Sequence, residues 1–139
     1  MGQPVREVMM PEPMAVDART TVETAAQVMR EHDIGDVLVT EDGVLRGILT
    51  DRDIVVRAIA AGRDPGTTTT GEVCSAAVHT VNADDDTARA ADIMRKHALR
   101  RLPVIDESQL VGIVSIGDLA VADDPSSALA GISSAPPNV

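Results

Sequence analysis

Two short segments of this sequence combine a hydroxyl and a carboxylate at the same spacing. Thr50 precedes Asp53 by three residues, and Ser115 precedes Asp118 by three residues. In a capping box, a hydroxyl accepts a helix N–H and a carboxylate three residues later returns to the cap. Each pair follows an apolar run and precedes a helical pattern, and a helix start also offers free N–H groups to an anion. The residues alone therefore leave two interpretations open, a helix cap and a ligand site.

Basic side chains are concentrated just before the second pair. Residues 95–101 hold four of the twelve Lys and Arg, whereas the equivalent residues 30–36 carry one cation and three acids. In a chain of net charge −10, a ligand phosphate needs such local compensation. Arg100 and Arg101 are the candidates for it, and an ion pair between Arg101 and Asp36 is the competing interpretation. The same net charge, together with the absence of Phe, Trp and Tyr, predicts no binding to nucleic acid.

An internal repeat is the strongest feature of the chain. A shift of 65 residues aligns its two parts without a gap. The identical pairs within 7–53 and 72–118 include Glu7/Glu72, Val8/Val73, Val16/Val81, Ala18/Ala83, Ala25/Ala90, Ala26/Ala91, Met29/Met94, Arg30/Arg95, His32/His97, Val39/Val104, Leu45/Leu110, Gly47/Gly112, Ile48/Ile113 and Asp53/Asp118. Such a repeat indicates one supersecondary unit used twice, each copy helping to cover the apolar face of the other.

Each copy predicts the order strand, helix, strand, turn, strand, helix, which is a mixed α/β fold. The first helix of each copy has an apolar stripe, formed by Val22, Ala25, Ala26 and Met29 and by Thr87, Ala90, Ala91 and Met94. Thr20 and Glu23 have the spacing of a capping box at the first of these helices, and one of Asp84, Asp85 and Asp86 caps the second. Strands are predicted at 37–39, 45–49, 102–105 and 110–114, and closing helices at 51–60 and 117–121.

The segments GILTDRDI (47–54) and GIVSIGDL (112–119), with RLPVID (101–106), resemble the signature of CBS domains. Two copies in register resemble a tandem CBS pair, or Bateman module, and cover most of the chain. The sequence is also similar to small stand-alone bacterial CBS-pair proteins of the hypoxic response type. The resemblance implies an α/β fold of two repeats, each β-α-β-β-α, packed about a pseudo-two-fold axis.

The resemblance also implies a function. CBS pairs commonly hold an adenosine compound, such as AMP, ADP, ATP or S-adenosylmethionine, in clefts between the repeats. The implied ribose and phosphate contacts are Thr50, Asp53, Ser115 and Asp118, with Arg100 and Arg101 at phosphate and Val37, Leu102 and Pro103 lining the cleft. We therefore expect a regulatory, non-catalytic homodimer that signals to a protein partner in trans. A ligand-free interaction or assembly module of a stress response is the alternative.

The remaining expectations concern organisation and chemistry. We place the first repeat at 1–62, a linker at 63–69, the second repeat at 70–124 and a flexible tail at 125–139. No apolar run spans a bilayer and no secretory signal is evident, so we expect a cytoplasmic protein that binds no membrane. No catalytic motif and no metal site are predicted, and Cys74 is interpreted as a buried structural thiol. His32 and His97 fit capping or surface roles.

Overall fold

The computed structural model describes residues 2–76 and 79–123. These residues form two compact units, one built from 14–76 and the other from 2–13 together with 79–123. We call them the first-copy unit and the second-copy unit, after the repeat copy that supplies most of each. The boundaries predicted above come from the alignment of the two repeat copies along the sequence. The compact units are defined by contacts in space, so their boundaries are different ones. The predicted tail at 125–139 lies outside the described residues.

Both repeat copies contain short strands and helices in the same order. The strands are β1 (Met10–Pro11), β2 (Ala15–Asp17), β3 (Asp36–Glu41), β4 (Val44–Thr50), β5 (Ser75–Ala76), β6 (Val81–Asn82), β7 (Arg101–Asp106) and β8 (Gln109–Ser115). The helices are α1 (Val22–His32), α2 (Asp51–Asp53), α3 (Thr70–Val73), α4 (Thr87–His97) and α5 (Ile116–Asp123), with a 3-10 turn at Val5–Glu7 and a π-helix at Ile54–Ile59 that continues α2. None of these helices is long and apolar enough to cross a membrane.

Each unit contains one four-stranded mixed sheet, and the two sheets have the same topology. The strand orders are β2-β3-β4-β5 in the first-copy unit and β6-β7-β8-β1 in the second-copy unit. In both, the first pair is parallel and the other two pairs are antiparallel. The register shifts at equivalent places, between Val39 and Thr40 and between Val104 and Ile105. The predicted mixed α/β repeat is therefore confirmed in both copies.

The opening segment of each copy lies in the unit of the other copy. Residues 2–13, which begin the first copy, add β1 to the edge of β8. Residues 70–76, which begin the second copy, add α3 and β5 to the first-copy unit, where β5 pairs with β4. Neither sheet therefore completes its edge with strands of its own repeat copy.

Aliphatic side chains alone form the two cores. The first-copy core contains Ala18, Val22, Ala25, Met29, Val37, Val39, Leu49, Ala58 and Val73. The second-copy core contains Val5, Val81, Ala83, Ala90, Met94, Leu102, Val104 and Val114. In each, one helix stripe packs on the inward side chains of two central strands, as the period of the sequence predicts. Ala26 and Ala91 differ from the prediction, because both are exposed.

The capping residue predicted for α4 is confirmed, and the one predicted for α1 is wrong. Asp86 caps α4, with a carboxylate oxygen 2.8 Å from the backbone nitrogen of Ala88. The cap of α1 is Thr21, whose hydroxyl accepts from the backbone N–H of Thr24, so the capping box predicted for Thr20 and Glu23 is wrong. Thr20 instead offers its carbonyl to the N–H of Thr70, 2.7 Å away. That contact with α3 fixes Thr20 outside the helix.

Gly47 and Gly112 let the edge strands approach closely. A Cβ on Gly47 would collide with the carbonyl oxygen of Ser75, and a Cβ on Gly112 would lie 2.9 Å from the carbonyl oxygen of Met10. Glycine is needed where another backbone comes this near. The neighbour is the backbone of β5 in one unit and of β1 in the other.

The opening segment is part of the core, so its loss is expected to unfold the second-copy unit. Val5 has 0% of its surface exposed and packs among the second-copy core residues. Val5→Ala removes two buried methyl groups and is expected to lower the free energy of unfolding by about 1.5–2 kcal/mol. Urea unfolding followed by far-ultraviolet circular dichroism measures the change, since the chain has no aromatic chromophore. Val44→Ala, at a valine 43% exposed, is the matched control; equal effects of the two substitutions would contradict this packing.

His97 meets a second histidine instead of serving only as a surface residue at the end of α4. Its ring stacks on that of His79, with centroids 3.7 Å apart and planes inclined by 20°. Desolvation, and then the charges of His79 and Lys96, lower the pKa of His97 below its usual value near 6.5. Because the folded chain holds this proton less tightly than the unfolded chain, acidification disfavours folding.

Stability is therefore expected to fall as the pH drops below about 6.5, the value for an unfolded histidine. His97→Gln removes the titrating group and is expected to reduce the difference between urea midpoints at pH 7.5 and pH 5.5. His32→Gln makes the same change at the equivalent position of the first copy and serves as the control. A pH dependence unchanged by His97→Gln would show that the stacked pair does not set it.

Candidate functional site

The two hydroxyl–carboxylate pairs lie where a central strand ends and a helix begins. In the first-copy unit, Thr50 ends β4 with extended backbone (φ −105°, ψ 162°) and α2 begins at Asp51. In the second-copy unit, Ser115 ends β8 and α5 begins at Ile116. We call these places the first junction and the second junction. The repeat places them at equivalent positions of the two units.

Both junctions contain a complete capping box. The hydroxyl of Thr50 accepts from the N–H of Asp53 at 3.0 Å, and the Thr50 N–H donates to Asp53 Oδ2 at 3.0 Å. The hydroxyl of Ser115 accepts from the N–H of Asp118 at 3.0 Å, and the Ser115 N–H donates to Asp118 Oδ2 at 2.8 Å. The structural interpretation of the motif is thus present at both junctions. It is compatible with a ligand, because a carboxylate has about four lone-pair directions and the box uses only part of them.

The neighbouring strand brings different residues to each junction. In the second-copy unit, the carbonyl of Arg100 accepts from the N–H of Ile116 at 2.8 Å, and Arg101 is the register partner of Ser115. In the first-copy unit, the carbonyl of Gly35 accepts from the N–H of Asp51 at 2.9 Å. The backbone scheme is conserved between the junctions and the side chains are not.

This substitution pattern places side chains of opposite charge on the strand side of the two junctions. The second junction carries the exposed side chains of Arg100 and Arg101, and its first helical residue is Ile116, which is 46% exposed. At the first junction the corresponding residues are Gly35, Asp36 and Asp51. On the strand side, the second junction therefore presents two cations to an anionic group and the first presents Asp36, while the cations Arg52 and Arg57 of the first junction lie on its helix.

The predicted lining residues lie in the strands that lead to the junctions. Val37 and Leu102 belong to the two hydrophobic cores, and Pro103 is also fully buried. Leu102 and Pro103 are consecutive in β7 and so point to opposite faces of the sheet. Their place beside a ligand stays a prediction.

Two residues at the first junction were missed by the sequence analysis. The Ser75 hydroxyl donates to Asp53 at 3.3 Å from Oδ1, and Arg57 Nε lies 3.7 Å from the same oxygen. Arg57 stands four residues after Asp53 on a helical segment, a spacing that the sequence shows. Ser75 lies 22 residues away on the edge strand, and no local pattern predicts its contact.

Cys74 is half-buried beside the first junction's edge strand. Burial raises the pKa of its thiol, and Sγ lies 3.9 Å from the carbonyl oxygen of Gly71. A thiol with a raised pKa is a poor nucleophile at neutral pH. Across residues 2–76 and 79–123, no three His, Cys, Asp or Glu side chains are grouped to hold a metal ion.

The CBS domain family model matches the chain twice, at residues 5–59 and 71–124. The CBS domain-containing protein YhcV of Bacillus subtilis (strain 168) is 43% identical over 117 residues, which are 84% of this chain and 83% of YhcV. Hypoxic response protein 1 of Mycobacterium tuberculosis is 43% identical over 116 residues, which are 83% of this chain and 81% of that protein.

Solved structures confirm the tandem pair and its mixed α/β fold. Hypoxic Response Protein I, crystallised with two coordinated zinc ions, has a TM-score of 0.77 at 42% identity, covering 85% of this chain and 97% of that one. CBSX2, in complex with AMP, has a TM-score of 0.74 at 23% identity, covering 88% of this chain and 96% of that one, a likeness of fold. With two family matches and relatives of this identity, the chain belongs to the CBS domain family and carries two copies of the domain.

Proposed function

We propose that this chain is a regulatory, non-catalytic CBS-pair module that binds an adenosine compound at its second junction and signals to a partner protein in trans. CBS pairs are regulatory modules, which supports the general class. The observation that carries the specific proposal is the arrangement of Arg100 and Arg101 beside Ser115 and Asp118. In a chain of net charge −10, this is a place where a phosphate meets compensating charge.

Each part of a nucleotide has a counterpart at the second junction. The ribose hydroxyls donate to the Asp118 carboxylate, whose Oδ2 accepts one bond from Ser115 and whose Oδ1 offers further acceptor directions. The phosphate accepts from Arg100 and Arg101, because a guanidinium donates in a planar fork that matches phosphate oxygens. The half-exposed Ile116 offers apolar surface to the adenine. With no aromatic side chain to stack on, the base gains little, and the affinity is modest.

Signalling requires that the ligand favour one arrangement of the chain over another. A ligand shifts such an equilibrium only by its difference in affinity for the two arrangements. Arg100 and Arg101 supply this difference in affinity. In one arrangement of the chain they bind the phosphate of the ligand, and in the other arrangement they contact other groups of the chain. A protein partner then recognises the arrangement that the ligand favours.

Binding is tested by calorimetric titration with AMP, ADP, ATP and S-adenosylmethionine. We expect saturable heat from a phosphorylated compound and a Kd raised about 10- to 100-fold by Asp118→Asn or by Arg100→Ala, since each removes a hydrogen bond to a charged group. Asparagine keeps an acceptor for the Ser115 N–H, so the capping box survives. Because the chain has almost no absorbance near 260–280 nm, any nucleotide retained on purification is visible directly.

Lys96→Ala is the matched control for Arg100→Ala, because Lys96 is an exposed cation of the same basic segment on α4. It is expected to leave the Kd unchanged. If the folded protein gave no heat with any of the four compounds, the ligand proposal would be wrong. The alternative, a ligand-free interaction or assembly module of a stress response, would then be favoured.

We also propose that two chains associate through the exposed faces of the first helices of the repeats. Ala26 on α1 and Ala91 on α4 are exposed at equivalent positions, and small residues allow helices to approach closely. Ala91 lines a groove of about 880 Å³ between α4 and α5, together with Met94, Leu119 and Ala120. We take a second copy of the chain as the occupant, because most soluble oligomers are two-fold homo-oligomers in which the same patch of both subunits meets.

Sedimentation velocity at micromolar concentrations tests this association. We expect a dimer, and we expect Ala91→Glu to shift it to monomer because a carboxylate would be buried without a partner. Lys96→Glu places the same residue elsewhere on α4, outside the groove, and is expected to leave the dimer intact. A monomer at all concentrations, or a dimer insensitive to Ala91→Glu, would contradict the proposed interface.

A further inference from the structure

The carboxylate of Asp53 at the first junction is engaged from inside the chain. Besides the Thr50 N–H, it accepts from the Ser75 hydroxyl at 3.3 Å and 3.5 Å from its two oxygens. Arg57 Nε lies 3.7 Å from Oδ1, and the Asp53 side chain is 13% exposed. A hydroxyl and a guanidinium are the same kinds of donor that a ribose and its surroundings would present to this carboxylate. Ser75 and Arg57 therefore use acceptor directions of Asp53 that a ligand hydroxyl would need.

The second junction lacks both of these internal donors. The repeat places Met10 at the position of Ser75 and Ala122 at the position of Arg57. The sheet register agrees, because Ser75 pairs with Ile48 whereas Met10 pairs with the equivalent Ile113. Neither a methionine nor an alanine side chain has a hydrogen to donate to a carboxylate. Within residues 2–76 and 79–123, the hydrogen bonds of the Asp118 side chain are those of its capping box.

This difference changes what a ligand gains at each carboxylate. At Asp118 a ribose hydroxyl replaces water. At Asp53 it must displace Ser75 and Arg57, and an exchange of one hydrogen bond for another gives little net free energy. The displaced guanidinium would also lose its ionic partner, and Asp51 stands where Ile116 offers apolar surface in the other unit.

We infer that Ser75 and Arg57 close the first junction to adenosine compounds, so that each chain binds one such molecule, at Asp118. This inference rests on the proposed function and adds to it the number of ligands and the residues that set this number. Ser75 and Arg57 are specificity-determining residues of the junction that stays empty. The capping box of Thr50 and Asp53 keeps only its structural role.

Two variants test the inference: one removes Ser75 and Arg57 from the first junction, and the other adds equivalent donors to the second junction. Adenosine, which is uncharged, is the probe for the first junction, because that junction lacks the basic pair. Calorimetric titration of the wild type is expected to give one adenosine per chain. The double variant Ser75→Met/Arg57→Ala, which installs the residues of the second copy, is expected to give two.

The reciprocal variant, Met10→Ser/Ala122→Arg, installs the internal donors beside Asp118. Both positions are exposed. Because Ala122 also lines the groove between α4 and α5, circular dichroism checks the fold and sedimentation velocity checks that association is unchanged. Binding of AMP is expected to weaken at least 10-fold. Two single variants of the wild type form a matched pair. Asp53→Asn is expected to leave AMP binding unchanged, and Asp118→Asn is expected to weaken it.

The outcomes separate this inference from the proposed function. Two adenosine molecules per wild-type chain, or the same number of bound adenosine molecules in the wild type and in Ser75→Met/Arg57→Ala, would overturn the closure of the first junction while leaving the proposed function standing. No binding of AMP, ADP, ATP, S-adenosylmethionine or adenosine to the wild type would overturn the proposed function, and the inference with it.

Discussion

The reciprocal hydrogen bonds between strand end and helix start are the interaction on which the rest of the molecule depends. At each junction one hydroxyl and one carboxylate satisfy backbone groups that the turn would otherwise leave without partners. This fixes the direction in which the second helix leaves the sheet. At the second junction the same geometry holds the Asp118 carboxylate in place and leaves it acceptor directions to spare. A structural cap thereby becomes a preorganised group for a ligand hydroxyl.

The two repeat copies have the same backbone at their junctions but differ in the charged and hydrogen-bonding side chains around the carboxylate. The backbone bonds that anchor Gly35 to Asp51 and Arg100 to Ile116 are the same. Charge differs on the strand side, where Arg100 and Arg101 precede one junction and Gly35 and Asp36 precede the other, while the cation beside Asp53 is Arg57 of its own helix. The edge strands differ as well, because β5 presents Ser75 to its junction and β1 presents Met10. Since each edge strand comes from the opening of the other repeat copy, a change in one copy alters the junction of the other.

The sequence predicts what is local or repeated. The period of α1 and α4, the strands around Val39 and Val104, and the capping boxes at both junctions follow from spacing alone, and the structure confirms them. The exchange of opening segments could not be predicted, because the repeat is the same whichever sheet edge the segment joins. Thr21 replaces Thr20 as the cap of α1 because Thr20 bonds to α3, a contact 50 residues away. Ser75 was missed for the same reason, since pairing of β5 with β4 brings it to Asp53.

The capping amides themselves report whether an adenosine nucleotide is held at the second junction and not at the first. Their N–H groups donate to the side chains that a ligand would touch, so amide ¹H–¹⁵N shifts report binding at each junction separately. On titration with AMP, we expect saturable shifts of the amide signals of Ser115, Ile116 and Asp118. The amide signals of Thr50 and Asp53 are expected to stay unchanged. Shifts at Thr50 and Asp53, with or without shifts at Ser115 and Asp118, or no shift at either junction, would contradict this expectation.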